Sequence, residues 1–120
     1  MILVDTSVWV DHFRTGDPKL AGLLNTGQVL AHPFVIGEIA LGHLQPRVTI
    51  LSDLAALPNA VVAQESEVLA FIELQKLFGL GIGYVDAHLL ASVRLTAGAA
   101  LWTRDKRLLA TAQAMALPVQ

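Results

Sequence analysis

The chain has 120 residues, no cysteine, and a formal charge of −2 from eight Lys and Arg against ten Asp and Glu. That length fits one domain over residues 1–120, and the missing cysteine excludes disulfides and thiolate metal or redox sites. Apolar residues make up 54% of the chain, yet no run approaches the ~20 of a membrane span and the start lacks a signal-peptide pattern; a cytoplasmic protein with no membrane partner is expected.

Ile2, Leu3 and Val4 form an apolar run that ends in Asp5 and reads as a central strand, with a helix from Val8 to Phe13 after it. Thr15-Gly16-Asp17-Pro18 is a turn cluster, from which Asp17 caps a helix over Pro18–Leu24 with Pro in its favoured first position. Gln28–Ala31 reads as the second strand and Phe34–Leu44 as a helix started at Pro33. Gln45-Pro46 breaks that helix, and Arg47–Leu57 supplies another. Ala60–Ala63 is a third apolar strand. Glu65-Ser66-Glu67 opens a helix with acids at its positive end, and Gly79, Gly81 and Gly83 connect it to a helix over Asp86–Leu95. Ala99–Trp102 is the fourth strand, the segment after Thr103–Arg107 is helical through Met115, and Leu117–Gln120 reads as an edge strand, where Pro118 is tolerated. Strands alternating with helices give an α/β fold with a mostly parallel sheet of four to five strands. The glycines of 79–83 are no phosphate loop, because they follow a helix and lack the GK[ST] ending.

Four acids stand in unusual places. Asp5 ends the first strand, and Asp105 follows the fourth by two residues. In open α/β sheets ligands sit beyond the carboxyl ends of the strands, although each acid taken alone also reads as a helix cap, Asp105 more so than Asp5. Glu38 has Phe34, Val35, Leu41 and Gly42 as helical neighbours, and Asp86 has Ile82, Gly83, Leu89 and Leu90; a carboxylate on an apolar face is costly unless paired or metal-bound. Four acids converging on one sheet edge repel one another, and a divalent cation relieves that. Oxygen-only donors favour Mg²⁺ or Mn²⁺. With those four acids set aside, the charge balance is eight positive against six negative, so net acidity does not exclude nucleic acid.

DTSVW at the start, the acids Asp5, Glu38, Asp86 and Asp105, GYVDAHLLAS and WTRDKRL together resemble PIN-domain ribonucleases, and among them the VapC-type toxins of toxin–antitoxin pairs. The resemblance covers essentially the whole chain. It implies a three-layer α/β/α fold and a metal-dependent endoribonuclease. It further implies one or two Mg²⁺ or Mn²⁺ ions held by Asp5, Glu38, Asp86 and Asp105, directly or through water. Ser7 and Thr103 match supporting hydroxyl residues. A cognate VapB-type antitoxin and a homodimer are implied as partners. Leu108 stands where the family commonly has Phe, a core substitution.

Arg104, Lys106 and Arg107 flank the expected site and are candidates to grip RNA phosphates, with Arg14 and Lys19 as outlying additions. His12, His32, His43 and His88 lack zinc-like spacing and are expected at the surface or in supporting positions. Trp9 and Phe13, four apart, are expected to pack together. Two other classes fail on residues. A haloacid-dehalogenase-type phosphatase needs an Asp where Ser7 stands, and a phosphoacceptor receiver domain needs an Asp after the third strand, where Ala63-Gln64 stand. A catalytically silent PIN domain serving as an interaction module is the remaining alternative.

Overall fold

A computed structural model describes all residues 1–120 of the chain. Ile2, Leu3 and Val4 are apolar, buried and too few for a helix, and they form the central strand β1 (Ile2–Val4). β2 (Val29–Leu30) pairs with it in parallel on one side and β3 (Ala100–Trp102) on the other, with Ile2 opposite Val29 and Ala100. Helices α1 (Thr6–Thr15) and α2 (Pro18–Asn25) connect β1 to β2. Helices α3 (Pro33–Ala40), α4 (Arg47–Ala55), α5 (Glu65–Leu74) and α6 (Tyr84–Leu95) connect β2 to β3, and α7 (Lys106–Ala114) follows. The chain thus crosses the sheet first one way and then the other. It runs outward through α1 and α2 to β2 and through α3 and α4 to the Asn59 bridge beyond it, then returns through α5 and α6 to β3. Right-handed crossovers put α1–α4 on one face, where α1 meets α3 and α3 meets α4, and α5 and α6 on the other, the three-layer arrangement expected. β1 is where the direction reverses, the position at which such sheets bind ligands.

The sheet has three strands rather than four to five. The expected strands Ala60–Ala63 and Leu117–Gln120 are each reduced to one parallel bridge, Ala31 with Asn59 and Leu101 with Val119. On the first edge, Ala31 donates to the Pro58 carbonyl and accepts from the Ala60 N–H, but the next rung fails because Pro33 has no N–H to give the Ala60 carbonyl; the Val61 N–H, on the outer side, donates to the Thr96 hydroxyl at 2.9 Å. β2 is itself cut short by Pro33, which starts α3. Helix α3 also ends at Ala40 instead of Leu44. The Arg47 guanidinium takes the terminal carbonyls of Ala40, at 2.6 Å, and Gly42, which satisfies acceptors that another helical turn would have used.

The core joins Leu3, Val4 and Leu101 of the sheet with Val8, Leu89, Leu90 and Leu108, all fully buried. Helix α6 is buried at every residue from Ala87 to Val93. Seven consecutive residues cover nearly two turns and so every direction around the helix; α6 is enclosed, packing against β3 and α5. Trp9 and Phe13 stack as expected, with ring centroids 5.6 Å apart. No helix is long and apolar enough to cross a membrane.

Candidate active site

Asp5 occupies the N-cap position of α1 with extended backbone, but its side chain makes no capping bond. Its N–H donates instead to the Trp102 carbonyl of β3 at 2.9 Å, and this pairing sets Thr103 beside it. Asp5 Oδ2 accepts from Ser7 Oγ at 2.7 Å and from Thr103 Oγ1 at 2.8 Å. Both hydroxyls are oriented from behind, since Ser7 Oγ accepts the Arg104 N–H and Thr103 Oγ1 accepts the Asp105 N–H, each at 3.0 Å. With a backbone donor on one lone pair, each hydroxyl directs its own hydrogen at the carboxylate. A buried Asp, 6% exposed, is thereby kept satisfied at one oxygen.

The other three acids are held the same way, by one oxygen each. Asp105 caps α7, its Oδ1 accepting from the N–H groups of Arg107 at 2.9 Å and Leu108 at 3.0 Å. Asp86, half-buried in the first turn of α6, accepts the Gly83 N–H on Oδ2 at 2.9 Å. Glu38 accepts from Thr6 Oγ1 on Oε1 at 2.7 Å, a bond that ties α3 to α1. Glu38 is exposed, which differs from the expected apolar face. α3 ends before Leu41, and its buried side is Val35 and Ile39, so Phe34 and Leu41 lie out with Glu38 rather than covering it.

Asp86 reports that the four acids share one patch. Burial raises its pKa, the Gly83 bond opposes that rise, and the charges of Asp5, Asp105 and Glu38 each push it further up. That is the signature of carboxylates gathered in one field. As they lie, no three acidic or histidine side chains close tightly enough to enclose a metal ion. Oxygen donors spread over an open patch fit Mg²⁺ or Mn²⁺, which use one or two carboxylates and keep several waters, rather than a metal that needs an all-protein cage. Beside Glu38 a cleft of about 370 Å³ opens between α1 and the end of α3, lined by Val10, Phe13, Arg14, Ile39, His43 and Leu44 among others.

The flanking cations differ from one another. Arg104 is not free: its guanidinium is ion-paired with both Asp11 and Asp17 and lies over the Trp102 ring. These two acids, and chiefly their hydrogen bonds, raise its pKa. Arg14 pairs with Asp11 at 3.3 Å, and Lys19 Nζ sits 4.7 Å from the Trp102 ring centroid. Lys106 and Arg107 are exposed and pair with no carboxylate.

Two histidines were expected in exposed or supporting positions and are buried. His32 is wholly enclosed; its Nδ1 accepts the Phe34 N–H and caps α3. Burial, with a smaller contribution from His88, lowers its pKa to about 4. His88, on the enclosed stretch of α6, packs against Phe34 and Tyr84, and burial lowers its pKa too. The apolar neighbours Ala87 and Leu89 signal this burial in the sequence, whereas capping by His32 has only Pro33 to announce it. His12 accepts the Asp17 N–H, and His43 is exposed.

Residues 2–114 match the family model described as PIN domain. The chain is 50% identical over 108 residues to Ribonuclease VapC32 of Mycobacterium tuberculosis, in both the CDC 1551 and H37Rv strains, covering 90% of this chain and 87% of that protein. Its fold is similar to that of FitAcB from Neisseria gonorrhoeae, with a TM-score of 0.67 at 19% identity over 99% of this chain and 96% of the other. It is similar also to FitAB bound to the IR36 DNA fragment, with a TM-score of 0.63 at 19% identity over 100% and 94%. With the family model matched across nearly its whole length and half of its aligned residues identical to a VapC ribonuclease, the chain belongs to the PIN-domain family, on its VapC branch.

Proposed function

We propose that this chain is a metal-dependent endoribonuclease, the toxin of a toxin–antitoxin pair, with Asp5, Glu38, Asp86 and Asp105 as its metal-binding and catalytic acids. The observation that carries this reading is the shared carboxylate patch at the ends of β1 and β3. Each acid there is anchored through one oxygen and keeps the other free of any hydrogen bond from the protein. The identity to a named ribonuclease supports the substrate class. Asp5 anchors the site, Ser7 and Thr103 fix its carboxylate, and Asp86 and Asp105 present their free oxygens from the starts of α6 and α7. One or two Mg²⁺ or Mn²⁺ ions, when bound, supply the Lewis-acid chemistry that activates water and offsets charge on the phosphodiester. Lys106 and Arg107 are the cations left to hold RNA phosphates, because Arg104 is engaged by Asp11 and Asp17. A cognate VapB-type antitoxin that covers the patch, and a second copy of the chain, are the partners this reading includes.

The test incubates the protein with a pool of structured RNAs and Mg²⁺ or Mn²⁺, with and without chelator, alongside Asp5→Asn. Discrete cleavage is expected for the native chain with metal. Chelator should abolish it, and Asp5→Asn should lower it more than about 100-fold, beyond the loss typical of a residue that only supports a metal ligand. Cleavage that survives chelator or Asp5→Asn would sink the reading.

A further inference from the structure

The connector before α6 contains two glycines with nearly the same backbone and different surroundings. Gly79 has φ +74 and Gly81 has φ +77. A Cβ at Gly79 would meet nothing within 4 Å, while one at Gly81 would stand 2.7 Å from Arg107 Nη1, 3.1 Å from its Cδ and 3.2 Å from its Cζ. The three nearest atoms all belong to one arginine arm. The positive φ accounts for glycine at both positions, but only at Gly81 does the missing side chain also make room for a neighbour.

That neighbour is placed for work. The Arg107 N–H is bound by Asp105 Oδ1, and Gly81 lies two residues before Gly83, whose N–H is bound by Asp86. The guanidinium therefore lies between the two segments that fix two of the four acids. Arg107 nevertheless forms no salt bridge, in contrast to Arg14 and Arg104, and its side chain makes no hydrogen bond. A planar fork of five donors, close to an acidic patch and unpaired, suits bidentate contact with a phosphate.

We propose that Gly81 is a positioning residue: its missing side chain seats the Arg107 guanidinium against the connector, where it grips one phosphate of the RNA strand lying across the carboxylate patch. This rests on the ribonuclease reading above. Alanine at Gly81 displaces the arginine, and because the clashing atoms are the far end of a flexible side chain, the fold itself is spared the clash.

The test compares Gly81→Ala, Gly79→Ala and Arg107→Gln in full-length Asp5→Asn protein, with Mg²⁺ and the labelled structured-RNA pool, so that the RNA stays intact. The two alanine variants share the positive-φ strain, and their melting temperatures should fall alike. Gly81→Ala should weaken RNA binding about tenfold, as loss of one charge-assisted contact does. It should also flatten the plot of log Kd against log salt by about 0.7, one phosphate on a single strand. Gly79→Ala should change neither, Arg107→Gln should reproduce the loss, and Gly81→Ala should add nothing to it. If the native chain cleaves RNA but Gly81→Ala binds like Gly79→Ala, or still costs a further tenfold without Arg107, the positioning role is overturned and the ribonuclease reading stands. If the native chain cleaves none of the pool and Asp5→Asn binds none of it, both fall.

Discussion

Asp86 is the residue whose energetics are most clearly set against the fold. Its pKa is raised chiefly by burial, with Asp5, Asp105 and Glu38 adding to the rise, so its charged form is disfavoured in the folded chain relative to the unfolded one. At pH 7 that charge is a cost to stability. Asp86→Asn removes the charge and keeps an acceptor for the Gly83 N–H. It is expected to raise the melting temperature measured without divalent metal while abolishing RNA cleavage, the exchange of stability for function common at active sites. Mg²⁺ should raise the melting temperature of the native chain, since a ligand of the folded state stabilises it, and should raise that of Asp86→Asn less. Equal melting temperatures without metal, or an equal response to it, would contradict this account. Among the four acids, the reasoning from helical spacing served Asp86 well and Glu38 poorly. Asp86 is followed by residues that are truly enclosed. Glu38 sits two residues before the end of α3, where Arg47 takes the Ala40 carbonyl, a contact that residue spacing does not reveal.

At the scale of elements, the starts of helices do two jobs. Asp5 and Asp105 both occupy N-cap positions, yet only Asp105 caps with its side chain. Asp105→Ala is expected to cost about 1 kcal/mol of stability, as loss of a capping side chain does, whereas Asp105→Asn retains the acceptor and most of that stability. Both should lose cleavage if the free oxygen of Asp105 serves the site. Denaturant unfolding of the two variants separates the roles: if Asn and Ala destabilise equally, the cap is not what holds α7. The helices were legible from their capping residues and prolines, with ends shifted by a few residues. The two outer strands were not. Their apolar runs are real, but a ladder needs consecutive partners, and on the first edge the next rung would need an N–H at position 33 to reach the Ala60 carbonyl, where Pro33 has none.

At the scale of the whole molecule, His32 and His88 join the start of α3 to the middle of α6, the helices that carry Glu38 and Asp86; their ring centroids are 6.4 Å apart. His32 protonates near 6.5 when unfolded but only near 4 when folded. Between those values the unfolded chain binds the extra proton, so stability falls as pH drops through that window, by roughly 3 kcal/mol at its full extent. His32→Asn keeps an acceptor for the Phe34 N–H without the titrating ring. Melting curves from pH 7 to 4 should therefore slope more steeply for the native chain than for the variant, whatever stability the variant loses throughout. Parallel curves would show that His32 does not titrate this way.

The sequence by itself determined the order of the helices and of the three paired strands; its motifs carried the resemblance to the PIN-domain family and singled out the four acids and two hydroxyls proposed for the site. These follow from local pattern: apolar runs of strand or helix length, capping residues, and an acid at each expected boundary. The tertiary structure decided which oxygen of each carboxylate is held and which is free. It also decided that Arg104 is taken up by Asp11 and Asp17 while Arg107 lies unpaired over Gly81. Those outcomes depend on contacts between residues dozens of positions apart, Thr103 with Asp5 or Arg104 with Asp11. The partner of a charged side chain is set by the packing of whole elements, which the spacing of residues along the chain does not encode.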